Sequence, residues 1–250
     1  MARISPGTTL DVQAIADLID HALLKPELTP QEVAGDVSDL AELQIWSVCV
    51  RPSDVAATAE QLQGRHTQVC TVLGFPHGTT STAAKVAEAQ QAMADGATEL
   101  DMVLNIGRLR GGDLQAVEDD IRAVVEAGHA GGALVKVILE TALLDDEQKR
   151  AGSEAAAAAG ADFVKTSTGF AGGGATVPDV LLMASSVPDS VQVKASGGVR
   201  DLDALLAMVA AGAARIGTSS TAAILAEARE HDGPIVVPEP EAGRAADEGY

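Results

Sequence analysis

A single (β/α)8 barrel of the α/β class is the fold that this sequence predicts, on three observations. Eight short runs rich in apolar and β-branched residues recur along the chain. Amphipathic helix patterns fill the intervals, and the runs start about every 28 residues, the length of one strand–helix unit. A doubly wound sheet usually has fewer strands, so we expect a closed TIM barrel.

The eight predicted strands are each short enough to cross the barrel wall once. They are Leu18–Ala22, Ile45–Val50, Val69–Phe75, Glu99–Asn105, Leu134–Leu139, Asp162–Ser167, Val191–Ala195 and Ala214–Gly217.

Helix start and stop signals separate these strands. Thr29, Pro30 and Glu32 provide an N-cap, a first-turn proline and a capping-box acid. Two later segments each carry one apolar face and end at a glycine, Gly96 or Gly128. The sequence therefore predicts alternating strands and helices throughout.

The end of the chain differs in composition from the rest. Residues 231–250 contain prolines and glycines at short intervals and show no periodicity. We therefore expect one domain over residues 1–230, followed by a flexible, extended C-terminal tail over residues 231–250 of the same domain.

Charge and composition exclude several classes of function. The chain has 17 basic and 36 acidic residues and a net charge of −19, which opposes binding to nucleic acid and anionic membranes. Aromatic residues make up only 2%, too few for base stacking. No apolar run approaches the roughly 18 residues of a membrane span, and no secretory signal opens the chain. We expect a soluble, cytoplasmic protein.

Strand alternation predicts which polar side chains face the barrel interior. Apolar residues of one parity suit the shell that packs on the helices, which turns the other parity inward. The charged residues on the inward parity are Glu99, Asp101, Lys136, Glu140 and Lys194, and an inward Lys165 is plausible from its neighbouring strand. Because a buried, unpaired ammonium is unfavourable, these lysines either join an ion-pair network with the carboxylates or take part in chemistry.

Two of the lysines belong to neighbouring parallel strands. Lys165 and Lys194 are 29 residues apart, so their amines can approach within about 5 Å. Repulsion between them lowers the pKa of one lysine. A neutral amine forms an imine with a carbonyl, and the protonated imine accepts the electrons of a breaking C–C bond. Spacing leaves the two lysines interchangeable.

This chemistry also needs a group that moves the proton of the substrate hydroxyl. Asp101 is the best-placed carboxylate, and Asp20 is a second candidate.

Two small-residue loops follow the last two strands. Gly197 and Gly198 follow the seventh strand, and Ser219 and Ser220 open the helix after the eighth. Such loops expose backbone N–H groups and helix N-termini that bind phosphate in many barrels, although plain turns have the same composition.

Metal and nucleotide motifs are absent from the sequence. Cys49 and Cys70 lie in apolar runs without CxxC spacing, and the five histidines form no HExxH pattern. We expect reduced, buried thiols and no metal site.

Eight motifs occur in an order that resembles the deoxyribose-phosphate aldolase family. They are IDHALLKP (Ile19–Pro26), VCVRPSDV (Val48–Val55), TVLGFPHG (Thr71–Gly78), ELDMVLNIG (Glu99–Gly107), VKVILET (Val135–Thr141), FVKTSTGF (Phe163–Phe170), VKASGGVR (Val193–Arg200) and GTSS (Gly217–Ser220). The resemblance covers nearly the whole predicted barrel.

The resemblance implies a class I aldolase that reversibly cleaves 2-deoxy-D-ribose 5-phosphate to D-glyceraldehyde 3-phosphate and acetaldehyde, in deoxyribonucleoside catabolism, without metal or cofactor. It implies that Lys165 forms the imine, that Lys194 lowers the pKa of Lys165, and that Asp101 relays protons through water. The substrate-binding positions that it implies are Asp20, Lys136, Thr168, Gly169, Gly197, Gly198, Ser219 and Ser220.

Two further residues bear on this resemblance. Tyr250 is the only tyrosine and ends the chain, where the family carries a tyrosine that helps to protonate the enamine. Phe170 occupies the place of a lysine that reaches the phosphate in some members, which weakens the prediction of a phosphorylated substrate. We expect a homo-oligomer, either a dimer or a tetramer.

Two alternatives stay open at this point. One is another imine-forming barrel lyase, such as a transaldolase-like protein. The other is a catalytically silent phosphosugar-binding barrel in which the lysines only neutralise the ligand phosphate.

Overall fold

A closed barrel of eight parallel strands dominates the computed structural model, which describes residues 3–241. The strands are β2 (Ile19–Leu23), β3 (Ser47–Val50), β4 (Gln68–Leu73), β5 (Glu99–Val103), β6 (Leu134–Ile138), β7 (Phe163–Lys165), β8 (Gln192–Ser196) and β9 (Ala213–Thr218). Each strand pairs with the next in chain order, and β9 pairs with β2 to close the barrel. The predicted (β/α)8 barrel and all eight of its strands are confirmed.

Helices connect the strands and form the outer layer. They are α1 (Val12–Ala16), α2 (Pro30–Glu42), α3 (Val55–Gln61), α4 (Thr82–Ala94), α5 (Ile106–Arg110), α6 (Leu114–Ala130), α7 (Asp146–Ala158), α8 (Val177–Ser186), α9 (Leu202–Ala210) and α10 (Thr221–Glu230), with short 3₁₀ turns at Pro52–Asp54 and Thr141–Leu143. The predicted capping box at Thr29 and Glu32 begins α2. Within residues 3–241, none of the helices combines the length and apolar character that crossing a membrane requires.

The main apolar core lies between the barrel wall and the helices. Leu100 and Met102 of β5 and Val117 and Ile121 of α6 all belong to it and are fully buried. Each such side chain contributes roughly 1.5–3 kcal/mol by leaving water. Because the apolar parity of each strand faces this layer, the polar parity turns into the barrel, as the alternation predicts.

The segment after α10 is partly fixed to the rest of the molecule. Strand β10 (Ile235–Val236) pairs antiparallel with β1 (Thr9–Leu10), and Ile235 and Val237 are buried. The described part of the predicted tail is therefore extended but packed as an edge strand. Tyr250 lies outside the described residues, so its predicted role stays a prediction.

Candidate active site

Asp101 of β5 lies at the centre of the barrel interior and is fully buried. Its Oδ1 accepts hydrogen bonds from Lys136 Nζ at 2.8 Å and from the Cys70 thiol at 3.2 Å. Its Oδ2 accepts hydrogen bonds from Lys165 Nζ at 2.7 Å and Lys194 Nζ at 2.9 Å. The two candidate imine-forming amines thus lie side by side on one carboxylate oxygen, as their pairing in register on β7 and β8 requires.

The three lysines differ in how many carboxylates surround them. Lys136 Nζ forms ion pairs with Glu99 at 2.6 Å, Asp101 at 2.8 Å and Asp20 at 3.8 Å. Lys194 Nζ pairs with Asp20 at 2.6 Å and with Asp101. Among the residues that the structure describes, Lys165 pairs with Asp101 alone, and its side chain keeps 5% exposure against 1% for Lys194. Lys165 is therefore the least neutralised and most accessible of the three amines.

Attraction between opposite charges keeps most of the groups in this cluster ionised. Burial would raise the pKa of Asp101, but the ammonium groups of Lys136, Lys165 and Lys194 outweigh it and hold that pKa well below its usual value. Burial would also lower the pKa of Lys194, but Asp101 and Asp20 outweigh it and raise that pKa. The pKa of Lys194 is thus raised, whereas repulsion between like charges alone would lower it. Its amine remains a fixed positive charge beside Lys165.

Asp20 of β2 joins the cluster to residues that the sequence analysis did not assign. Its Oδ1 accepts hydrogen bonds from Ser47 Oγ at 2.8 Å and from Arg215 Nη1 at 2.7 Å. Burial opposes ionisation of Asp20, but Lys194, Lys136 and Arg215 lower its pKa. Strand parity could have identified Arg215, because the next residue of β9, Ile216, packs in the outer core.

Glu140 faces the interior, but it binds Thr168 and not the lysines with which the sequence predicts an ion pair. Its side chain accepts hydrogen bonds from the backbone N–H of Thr168, at 3.2 Å, and from the Thr168 hydroxyl. Within residues 3–241 no ion pair of Glu140 with the lysines forms, whereas Glu99 and Asp101 do pair with them. Burial raises the pKa of Glu140. Its φ of 61° is unusual for a residue with a side chain, a feature that clusters at functional sites.

Thr168 and Gly169 lie in the loop after β7, which bends at Gly169. Thr168 is buried, and its hydroxyl also accepts a hydrogen bond from the backbone N–H of Phe170 at 3.0 Å. Gly169 has a φ of 87°, which favours glycine. Glu140 thus holds the bend that follows Lys165.

The two predicted phosphate loops lie at the carboxyl ends of adjacent strands. Ser196 of β8 and Gly217 of β9 are in register, so the loop of Gly197 and Gly198 lies beside the loop that leads to Ser219. A Cβ on Gly217 would lie 2.1 Å from Ser196 Oγ, so only glycine fits this close approach.

The opening of α10 bears on the second of these loops. Ser220 is the N-cap residue of α10 but makes no side-chain cap hydrogen bond. The first N–H groups of this helix are therefore not bonded to that side chain, which suits an anion.

A cavity of about 330 Å³ opens at this end of the barrel, and its lining includes His77, Glu140, Thr168 and Phe170. Phe170 is 42% exposed and packs edge-to-face on Phe75, with ring centroids 5.3 Å apart. The mouth therefore has an apolar wall at the position where the resemblance places a lysine in some members.

The two cysteines are free and buried, as predicted, and they lie next to Asp101. The potential ligand atoms of Cys49, Cys70 and Asp101 all lie within 4.8 Å of one another, the one such group found among residues 3–241. Three ammonium groups already bond to the Asp101 carboxylate, and their charge opposes a cation at this point. The donor set does not fit a resident metal ion.

Comparisons with known proteins identify the family of this chain. Residues 15–227 match the family model described as DeoC/LacD family aldolase. The chain is 53% identical over 210 residues to the deoxyribose-phosphate aldolase of Staphylococcus haemolyticus. These aligned residues cover 84% of this chain and 94% of that relative.

Two solved structures are similar to this chain along most of their length. A deoxyribose-phosphate aldolase candidate from Coccidioides immitis has a TM-score of 0.85 and 42% identity, covering 89% of this chain and 88% of that one. The tetrameric deoxyribose phosphate aldolase of Aeropyrum pernix has a TM-score of 0.82 and 33% identity, covering 88% of this chain and 92% of that one.

Proposed function

The chain belongs to the DeoC/LacD family of aldolases, and from that premise we propose that it cleaves 2-deoxy-D-ribose 5-phosphate through an imine on Lys165. One observation carries the choice of lysine. Lys165 and Lys194 share the same Asp101 oxygen, but Lys165 has one carboxylate partner and the greater exposure. The amine with fewer counter-ions gives up its proton more readily, and the more accessible one reaches a carbonyl.

The proposed reaction uses the cluster in a fixed order. Neutral Lys165 Nζ attacks the aldehyde carbon of the open-chain sugar, and the resulting carbinolamine takes up one proton from solvent and loses water to leave a protonated imine; the final hydrolysis returns that proton. Asp101, through water, accepts the proton of the substrate hydroxyl while the adjacent C–C bond breaks. The electron pair of that bond enters the imine, which leaves an enamine on Lys165 and releases glyceraldehyde 3-phosphate. Protonation of the enamine carbon and hydrolysis then release acetaldehyde and restore the amine.

Substrate binding follows from the loops around this centre. We assign the phosphate group to Gly197, Gly198, Ser219 and Ser220, because these loops adjoin at the carboxyl ends of β8 and β9. Thr168 lines the cavity at the mouth and Gly169 follows it in the chain, while Asp20 and Lys136 belong to the charged centre, where Lys136 Nζ lies 3.8 Å from Asp20 Oδ2. A homo-oligomer stays a prediction, which the tetrameric structure of the Aeropyrum pernix relative supports. A cytoplasmic location also stays a prediction.

Reductive trapping tests the assignment of the imine. The protein is incubated with 2-deoxy-D-ribose 5-phosphate and sodium borohydride, digested and mapped by mass spectrometry. We expect a stable adduct at Lys165, with exposed Lys25 reporting the level of nonspecific trapping. An adduct at Lys194 would overturn the assignment, and products other than acetaldehyde and glyceraldehyde 3-phosphate would indicate a different lyase. If neither an adduct nor turnover is observed, only a binding function remains.

Phe170→Lys tests how the mouth selects between phosphorylated and free sugar. An ammonium at this half-exposed position adds attraction for a dianionic phosphate. We expect the ratio of kcat/KM for the 5-phosphate to that for 2-deoxyribose to rise about fivefold, on the scale of one partly screened charge pair. Phe170→Leu, which also removes the packing on Phe75 but adds no charge, should leave this ratio unchanged. Equal ratios in all three proteins would contradict the role given to Phe170.

A further inference from the structure

Thr218, the last residue of β9, is bonded to both of the loops to which the phosphate group is assigned. One is the loop of Gly197 and Gly198 after β8, and the other leads through Ser219 and Ser220 into α10. Thr218 is buried, with only 3% exposure. A buried hydroxyl needs hydrogen-bond partners, and Thr218 finds one on each loop.

The Thr218 hydroxyl donates to the glycine loop. Its Oγ1 donates a hydrogen bond to the backbone carbonyl of Val199 at 2.6 Å. Val199 directly follows Gly198, and it is buried in the outer core. This bond therefore fixes the end of the glycine loop to β9.

The same oxygen accepts a hydrogen bond from the second loop. The backbone N–H of Ser220, the N-cap residue of α10, donates to Thr218 Oγ1 at 2.9 Å. A hydroxyl carries one proton and two lone pairs, so it can make both bonds at once. Thr218 thus joins the glycine loop to the start of α10 through a single oxygen atom.

The opening of α10 presents further N–H groups next to this junction. The Ile224 N–H donates to the Ser220 carbonyl at 3.1 Å, which closes the first turn. The N–H groups of residues 221–223 precede this bond and have no partner within the helix. Such groups attract an anion.

Each loop is also bonded to a different neighbour. The Gly197 carbonyl accepts a hydrogen bond from the Ala175 N–H at 3.0 Å. Thr221, the first residue of α10, is fully buried, and its hydroxyl is hydrogen-bonded to Nδ1 of His21 in β2 at 2.8 Å. These bonds hold each loop separately, whereas the two bonds of Thr218 fix one loop relative to the other.

A phosphate group that two loops share depends on the spacing between them, because each N–H must come within about 3 Å of a phosphate oxygen. We propose that Thr218 is a positioning residue for the substrate phosphate, whose hydroxyl sets the spacing between the glycine loop and the opening of α10. The inference rests on the proposed function, since it concerns the phosphate group assigned to these loops. Thr218 acts through its backbone partners, Val199 and Ser220.

Two substrates that differ only in the phosphate group test this role. Thr218→Val replaces the hydroxyl with a methyl group and breaks both bonds. We expect KM for 2-deoxy-D-ribose 5-phosphate to rise about tenfold, the effect of one hydrogen bond to a charged group, with kcat within about twofold of wild type. For 2-deoxyribose, kcat/KM should stay within about twofold of wild type. Thr218→Ser keeps the hydroxyl and should restore the wild-type KM.

Binding of inorganic phosphate tests the same role without turnover. Thermal unfolding at increasing phosphate concentration gives an apparent Kd, because a ligand that binds the folded state raises Tm. We expect this Kd to be about tenfold weaker in Thr218→Val than in wild type, and close to wild type in Thr218→Ser.

Thr71→Val is the matched control for loss of a buried hydroxyl. Thr71 of β4 is fully buried, and its hydroxyl donates to the backbone carbonyl of Val50 at 2.8 Å. Strand β4 is adjacent to neither β8 nor β9. This variant should lower the unfolding midpoint as Thr218→Val does, but leave KM for the 5-phosphate and the Kd of phosphate unchanged.

Three results would overturn the proposal: equal losses with both sugars, unchanged KM and phosphate Kd in Thr218→Val, and no recovery in Thr218→Ser. If Thr218→Val does not fold, Thr218→Ala removes the hydroxyl without placing a methyl group against the Val199 carbonyl and gives the same test. The proposed function fails separately, if the wild type shows neither turnover of 2-deoxy-D-ribose 5-phosphate nor a borohydride adduct at Lys165. The phosphate titration still tests Thr218 in that case.

Discussion

Lys165→Ala should abolish cleavage of 2-deoxy-D-ribose 5-phosphate, with kcat reduced about 10⁴-fold or more, because no other amine can form the imine in the same place. Lys194 and Lys136 are each held by at least two carboxylates and are less exposed. Initial rates and borohydride trapping on the purified variant measure the effect. The trapped adduct should disappear together with the activity.

Lys165→Arg is the matched control for this substitution. A guanidinium keeps the positive charge beside Asp101 but cannot become a neutral nucleophile. We expect the same loss of activity with an unfolding midpoint closer to wild type than that of Lys165→Ala. Retention of more than about one hundredth of the wild-type kcat in either variant would contradict the nucleophilic role of Lys165.

Asp101→Asn should reduce both activity and stability. Loss of the proton relay lowers kcat by about 10²–10⁴-fold, the range that general acid–base catalysis contributes. The free energy of unfolding at pH 7 should also fall by about 3–5 kcal/mol, because three buried ammonium groups lose their shared counter-ion. Urea unfolding and initial rates measure the two effects.

The difference in the free energy of unfolding between wild type and Asp101→Asn should become smaller as the pH falls below about 4. The folded pKa of Asp101 lies well below its ordinary value of 3.8, so the unfolded chain binds the proton first as the pH falls. The stabilisation is therefore complete above about pH 4 and is lost as the pH falls from there towards the folded pKa. A difference that stays constant from pH 7 to pH 3 would show that Asp101 does not stabilise the cluster as an anion.

Exposed pairs provide the reference for this measurement. Arg65 and Glu42 form a surface ion pair at 3.1 Å, with both side chains more than half exposed. Breaking that pair by Glu42→Gln should change the free energy of unfolding by less than about 1 kcal/mol, since water screens it. The contrast isolates the contribution of burial.

Alternation along the strands predicts from the sequence alone which charged residues enter the candidate site. The apolar parity of β5, β6 and β8 packs on the helices, so Asp101, Lys136 and Lys194 turn inward. The same rule applied to β9 identifies Arg215, because Ile216 lies in the outer core. Arg215 was therefore missed although its signal was present in the sequence.

Contacts between residues far apart in the chain could not be read in this way. The Cys70 thiol reaches Asp101 across 31 positions, and Glu140 reaches Thr168 across 28. The pairing of Ile235–Val236 with Thr9–Leu10 involves strands too short to show any periodicity. Each depends on the pairing of separate segments in the folded chain, which the local pattern of either segment alone does not encode.

The sequence by itself determined the barrel, its eight strands and the inward direction of the charged residues, because strand period and helix signals are local properties of the chain. Spacing left Lys165 and Lys194 equivalent and the family resemblance favoured Lys165, but only the tertiary structure shows how the surroundings of the two amines differ. The physical reason is that a lysine's ionisation depends on how many carboxylates surround it. Asp20 reaches Lys194 but not Lys165, and that difference exists only once β2 and β9 close the barrel.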